Sequence, residues 1–304
     1  MILVVGSTFF MTLTQVLARQ AGESLHPFEI SFFRNLFGFL PLAPLFLRNG
    51  FGILRTRRHG LHALRGVVQS VCMMTYFTAL MMIPLTDIMA LSFTAPLFAT
   101  VLAMLLLGER LRLRRVSALL FGFLGMLVVL RPGFVEFNPG TGLILGFAIG
   151  FAFVLTMMKA LSRTESSVTI TAYMGIYLTP LTLIPALFVW TWPTAAELWL
   201  LVQVGFFGTI AQLLFTQGLR TAEMSVVLPF DFSRLIWASA LGFLFFAEIP
   251  SIWTWIGGSM IFASATYIAI RESRIERAKT RAAAAAAAAP APEQPSKEQQ
   301  GRTP

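Results

Sequence analysis

Ten apolar stretches, each close to the length needed to cross a bilayer, fill the chain from Met1 to about Ile270. A hydrocarbon core of roughly 30 Å takes about 20 helical residues to span, so little chain before residue 270 is left for a soluble domain. The stretches run at about 1–18, 27–47, 63–83, 86–107, 113–131, 140–160, 167–190, 195–218, 224–247 and 252–270. Pro, Gly or charge separates them, as at Ile83-Pro84-Leu85 and Trp192-Pro193-Thr194. With 56% hydrophobic and 12% charged residues, the composition lies outside soluble globular usage. The expected class is an all-α integral membrane protein with ten transmembrane helices.

The net charge of +9 would suggest nucleic acid in a soluble chain. Here the charge sits in short loops and the tail, where anionic lipid headgroups account for it and no nucleic acid partner is called for. Arg48, Arg55, Arg57, Arg58 and Arg65 fill one gap, and Arg110, Arg112, Arg114 and Arg115 another. Lys159 with Arg163, then Arg220, then Arg271 to Arg281 continue the series, while the intervening gaps hold only Arg19 and Arg131. The positive-inside rule then places both termini in the cytoplasm of a multi-pass inner (plasma) membrane protein. Met1–Leu17 lacks the basic flank of a signal peptide and is read as the first span, the natural start being expected a few residues earlier.

Two halves resemble each other. Ala79-Leu80 precedes Gly108-Glu109 at the spacing with which Gly218-Leu219 precedes Ala247-Glu248. A Gly-containing helix follows each Glu, with Gly122 and Gly125 in one half and Gly257 and Gly258 in the other. A unit of about five spans is odd, so the second copy enters the membrane from the opposite side. The expected architecture is two inverted five-helix repeats, residues 1–133 and 134–272, with a site between them near the midplane. A disordered basic, Ala- and Pro-rich cytoplasmic tail is expected over 273–304.

Intramembrane charge points to function, because at a helix centre it costs about 2.5–3.5 kcal/mol on insertion scales. Arg34 lies in span two with Ser31 on the same face, and Asp231 and Arg234 share a face of span nine. Arg34 is read either as a bidentate clamp for a carboxylate or as a bridge to a neighbour such as Asp231. Asp231 and Arg234 either neutralise each other or serve the substrate, Asp231 being the candidate proton carrier. Asp87 and Glu29 lie toward the outer ends of their spans, Glu29 reading as interfacial. Glu109 and Glu248 read as caps or as loop partners of nearby Arg.

Polar stripes at helical spacing supply cavity walls: Thr8, Thr12 and Gln15; Gln69, Cys72 and Tyr76; Thr169, Tyr173 and Tyr177; Thr209, Gln212 and Thr216. Of these, Gln69, Tyr76, Tyr173 and Gln212 are expected to orient substrate. Gly142, Gly146 and Gly150 read as a packing face, and Phe33, Phe230 and Phe232 as rings beside the buried charges. Cys72 is the lone cysteine, so neither a disulfide nor a Cys-based metal site is expected. His26, His59 and His62 are too scattered for a metal cluster, and no phosphate-binding Gly-rich loop is present. No cofactor is called for.

These features are similar to the drug/metabolite transporter superfamily, in particular the ten-helix EamA-type proteins. Pro96, Leu107-Gly108-Glu109-Arg110, Gly122-Phe123-Leu124-Gly125 and Leu130-Arg131-Pro132 carry the resemblance in the first half. Pro229-Phe230, Phe246-Ala247-Glu248, Gly257-Gly258 and Tyr267 through Arg271-Glu272 carry it in the second. Phe232-Ser233-Arg234-Leu235 replaces the commoner acidic residue followed by Pro in span nine. Phe32-Phe33-Arg34 and Arg65-Gly66 resemble the subgroup that includes S-adenosylmethionine uptake carriers. The resemblance implies alternating-access transport of a small organic metabolite without enzymatic activity. With the charges above, the substrate class is zwitterionic or carboxylate-bearing, an amino-acid derivative such as S-adenosylmethionine. Efflux of amino acids, riboflavin-like compounds or drugs is the alternative. A membrane-embedded enzyme is the remote one, for want of a nucleophile–base or metal constellation.

Overall fold

The computed structural model describes residues 2–44, 47, 52, 54–107, 113–131, 138–221, 230 and 233–288. Among them the chain forms eleven α-helices, one 3-10 turn at Leu40–Leu42 and no strand. In chain order the helices are α1 (Ile2–Ala21), α2 (Pro27–Phe37), α3 (His59–Leu80), α4 (Leu85–Ser92), α5 (Ala95–Leu107) and α6 (Leu113–Leu130). They continue with α7 (Pro139–Ser162), α8 (Ser167–Leu187), α9 (Ala195–Thr221), α10 (Ser233–Phe246) and α11 (Ile252–Ala288). Three apolar stretches, Pro139–Ser162, Ser167–Leu187 and Ala195–Gly218, are long enough by themselves to cross a membrane.

The helix starts are written into the chain. At α2, His26 accepts from the Phe28 N–H and the Glu29 carboxylate accepts from the His26 N–H at 3.1 Å, with Pro27 at the first position. Asn138 caps α7 through the Gly140 N–H at 2.8 Å, and Ser166 caps α8 through the Thr169 N–H at 3.0 Å.

Three boundaries differ from expectation. Span two ends its α-helix at Phe37, because Gly38, Pro41 and Pro44 follow and a 3-10 turn takes over. Span four is broken into α4 and α5. Pro96 lacks an N–H, so the Ser92 carbonyl loses its helical partner. The Thr94 N–H (3.0 Å) and hydroxyl (2.6 Å) both turn onto the Leu91 carbonyl. The last helix continues to Ala288 where a disordered tail was expected from 273. Alanine is the strongest helix former, and its run extends the helix instead of ending it.

Several helices turn apolar side chains outward and polar ones inward. On α3, Leu64, Val67 and Val71 are exposed while Arg65, Gln69 and Cys72 on the opposite face are buried. Thr8, Thr12, Gln15 and Arg34 are likewise buried, and Leu120, Leu124, Phe243 and Leu244 are exposed. Apolar side chains facing outward, with polar ones sequestered between helices, are what a lipid solvent selects.

Packing partners follow an exchange rule. α1 packs on α9 as α7 packs on α3, and α2 packs on α9 as α8 packs on α3. The α2–α8 and α6–α11 contacts map onto themselves when α1–α6 are exchanged with α7–α11. Glycines permit the α6–α11 approach: a methyl built on Gly125 would lie 2.7 Å from the Gly257 carbonyl oxygen. Ser264 adds a hydroxyl donated to the Ala118 carbonyl. Gly257→Val is expected to force this crossing apart at a cost of about 1–3 kcal/mol, read as a lower melting temperature in detergent and reduced membrane abundance.

Candidate functional site

Helices from both halves surround one cavity of about 130 Å³, placed beside the break between α4 and α5. One water needs roughly 10–15 Å³ on the same measure, so the chamber has room for several. Ser92, Phe93, Ala95 and Pro96 line it, which puts the irregular backbone of span four on the wall. Non-helical backbone at membrane depth is tolerated where it faces such a cavity.

Arg34, Gln69, Tyr76, Gln212 and Arg234, drawn from α2, α3, α9 and α10, converge on this space. Arg34 is buried, 9% exposed, with Nη1 3.9 Å from the Met73 sulfur. Gly208 makes room for it, since a methyl there would come within 3.1 Å of Arg34 Nε. Among the described residues the one ion pair is Arg19 with Glu248, so no described carboxylate neutralises Arg34. The Arg234 guanidinium lies 5.7 Å above the Phe215 ring, which also faces the cavity.

The neutral polar groups divide into donors and acceptors. Gln69 and Gln15 bury their amide oxygens, and Tyr76 its hydroxyl, without a hydrogen-bond partner among the described residues. Gln212 donates to Thr216 at 3.0 Å. Unmatched buried polar atoms are costly unless something is brought to them. Aromatic faces complete the chamber: Tyr76 meets Phe147 edge-on at 4.8 Å, and Phe147 stacks on Phe151 at 5.1 Å.

Other polar residues named from the sequence lie elsewhere. Tyr173 is not at the cavity: its hydroxyl donates to the Leu54 carbonyl at 2.7 Å, and its ring stacks on His62 at 4.4 Å. Spacing placed it on a polar face without revealing that the chain around Leu54 folds over that face. Asp231, Phe232 and Glu109 lie outside the described residues. Thr8 and Thr12 turn their hydroxyls onto backbone carbonyls of α1, Thr8 also meeting Ser233. Phe33 packs between Phe37 and Trp190, and Phe230 is exposed.

Glu29 is buried, accepting from the Thr191 N–H at 2.8 Å. Glu248 joins three helices. It pairs with Arg19 of α1 at 2.6 Å and accepts from the Leu85 N–H of α4 at 2.9 Å, where the helix dipole favours an anion. Asp87 accepts from Thr254 at 2.6 Å beside it. Cavity members that single-residue reasoning passed over include Thr14, Met73, Met158 and Phe215. Thr14 lies next to the polar stripe of span one, whereas the methionines carry no signal separating them from lipid-facing ones.

Fold and cavity together define a polytopic helical membrane protein with a charged internal chamber. The pattern of the EamA-like transporter family matches residues 1–131 and again 138–270. The chain belongs to this family, within the drug/metabolite transporter superfamily, and is a small-molecule transporter. It is similar to the S-adenosylmethionine uptake transporter of Rickettsia prowazekii (strain Madrid E), 27% identical over 88% of this chain and 91% of that one. It is also similar to the riboflavin transporter of Vibrio cholerae serotype O1, 32% identical over 76% and 78% of the two chains. A solved crystal structure superposes with a TM-score of 0.62 at 21% identity, covering 90% of this chain and 97% of the other, a likeness of fold alone.

Because Gly208 supplies the space that Arg34 occupies, Gly208→Val is expected to displace the guanidinium. Transport should fall at least fivefold with membrane abundance within twofold of wild type, read by flux into vesicles alongside quantitative blotting.

Proposed function

We propose that the protein is an inner-membrane carrier of ten spans that moves a carboxylate-bearing or zwitterionic metabolite by alternating access between two inverted repeats. The repeats are residues 1–133 and 134–272, with both termini cytoplasmic. The exchange rule in helix packing supports the inverted arrangement, as does the family pattern matching twice. A single observation carries the substrate class: Arg34 and Arg234 meet at one buried cavity with the unmatched amide oxygens of Gln15 and Gln69. A carboxylate satisfies guanidinium, while an ammonium or amide N–H satisfies the amide oxygens. Amino-acid derivatives present both, S-adenosylmethionine being the leading candidate given the uptake relative. Asp231 is assigned the cationic group of the substrate or a coupling proton. A flat heteroaromatic solute is the second reading, favoured by Tyr76, Phe147, Phe151 and Phe215 around the same space and by the riboflavin relative.

The test is a metabolite panel screened for thermal stabilisation of purified protein and then for flux into proteoliposomes. Arg34→Ala is expected to lower flux of a carboxylate-bearing hit at least tenfold with normal abundance, Arg34→Lys recovering part of it. Equal loss of folded protein would make Arg34 structural.

On this topology the Arg19–Glu248 pair lies at the outer mouth and bridges the two repeats. Both side chains are partly exposed, 21% and 16%, so the pair is weak enough to open in each cycle. Glu248→Gln is expected to speed labelling from outside, by several-fold, of a cysteine placed at Tyr76 in a Cys72→Ala background. The charge swap Arg19→Glu with Glu248→Arg should recover only part of the slow labelling, because the swapped guanidinium remakes the pair but cannot accept from the Leu85 N–H.

A further inference from the structure

The cavity does not use the most buried cation among the described residues. Arg65 is 2% exposed and lies on the same face of α3 as Gln69, one turn nearer the end that carries Glu165. Its contacts are sparse. Nη1 donates to the Ile170 carbonyl at 3.3 Å and Nη2 meets the Met158 sulfur at 3.9 Å. Among the described residues its Nε has no hydrogen-bond partner and no carboxylate lies within ion-pair distance. His62, a turn further on, is also 2% exposed, with Nε2 unpartnered among the described residues. The close approach of α3 to α8 pins this position, since a methyl on Gly66 would reach within 2.6 Å of Tyr177 Cβ.

A guanidinium removed from water is costly, and one carbonyl at long distance with one thioether offsets little of that cost. Thioether sulfur is a weak acceptor that an oxyanion readily displaces. Met158 is also the partition between Arg65 and the chamber: it lines the cavity, and its sulfur meets Gln212 Nε2 at 3.6 Å on the other side. Methionine is unbranched and turns about three bonds, so it can move aside without disturbing the helices.

We propose that Arg65 forms a second anion subsite on the cytoplasmic side of the cavity, with Met158 as the movable side chain between the two. A carboxylate leaving Arg34 passes to Arg65 when Met158 swings away, and His62 offers the next donor toward the water. The assignment rests on the carrier reading for its sidedness, and its chemistry is that of a small carboxylate or comparable oxyanion.

The test uses full-length protein in liposomes with Met158→Cys in a Cys72→Ala background. Two small thiol reagents are compared, the anionic sulfonatoethyl and the cationic trimethylammonioethyl methanethiosulfonates, each normalised to its rate with free thiol. The anionic reagent is expected to react about tenfold faster. Arg65→Gln should remove most of that bias and Arg65→Lys should keep it, while Arg34→Gln should leave the greater part. A bias below twofold with Arg65 intact overturns the subsite whether or not Arg65→Gln folds. An unreactive cysteine, or a bias unchanged in folded Arg65→Gln, overturns it as well. Failure of the carrier reading would show differently, as no flux for any panel solute with the reagent bias intact.

Discussion

Hydrocarbon offers no hydrogen bonds, so each backbone N–H and C=O at membrane depth has to be satisfied within the protein. That constraint accounts for the uniform helicity and for where the exceptions fall. Helix starts are closed by Glu29, Asn138, Ser166 and Glu248, each accepting from backbone N–H groups that helical geometry leaves unpaired. The conspicuous interruption within a described span is at Phe93 and Thr94, and it borders the cavity. Water or solute there can reach groups that lipid could not. Polar side chains follow the same logic: buried between helices, they create an interior unlike the exterior, and that difference makes a chamber.

Sulfur has a particular place in that interior. Arg34 and Asn35 both approach the Met73 sulfur, Gln69 approaches Met174, and Arg65 and Gln212 share Met158. Asn35, Arg65 and Gln212 also donate to oxygen, whereas the thioethers accept weakly and yield easily. A tightly paired cavity would be rigid and would resist an incoming ligand, whereas an unpaired one would carry the full desolvation cost. Thioether contacts lie between those limits, keeping the donors oriented without making a strong partner of the solute's rival.

Much of the architecture was legible because period and charge are coarse signals that survive averaging over twenty residues. The polar stripe of α3 and the lone Arg34 in span two led to side chains that share one cavity. Tyr173 shows the limit of the method. Helical spacing tells which residues share a face, and Tyr173 does share one with Thr169 and Tyr177, but the face is covered by the chain near Leu54 and His59. Likewise, 86–107 reads as one uninterrupted span, whereas the helix breaks before Pro96 and the break faces the chamber. Glu248 read as a cap or a partner of nearby Arg. It is both, and its contacts with α1 and α4 depend on Ala247 adopting φ 54°, a left-handed turn no residue type there announces.

The contacts joining the two halves differ in kind, and the difference bears on how such a molecule moves. At α6–α11, glycine brings backbone against backbone, so sliding or tilting there has to disrupt dense packing at several points together. At the Arg19 end the tie is an ion pair between partly exposed side chains, supported by one backbone N–H. Water can replace each of those partners at little net cost. The rocking between repeats proposed above would therefore meet its stiffest resistance along the glycine seam and its least at the Arg19–Glu248 pair. With the seam as pivot and that pair as latch, the proposed alternating access would change the side on which the cavity opens while its own walls remain assembled.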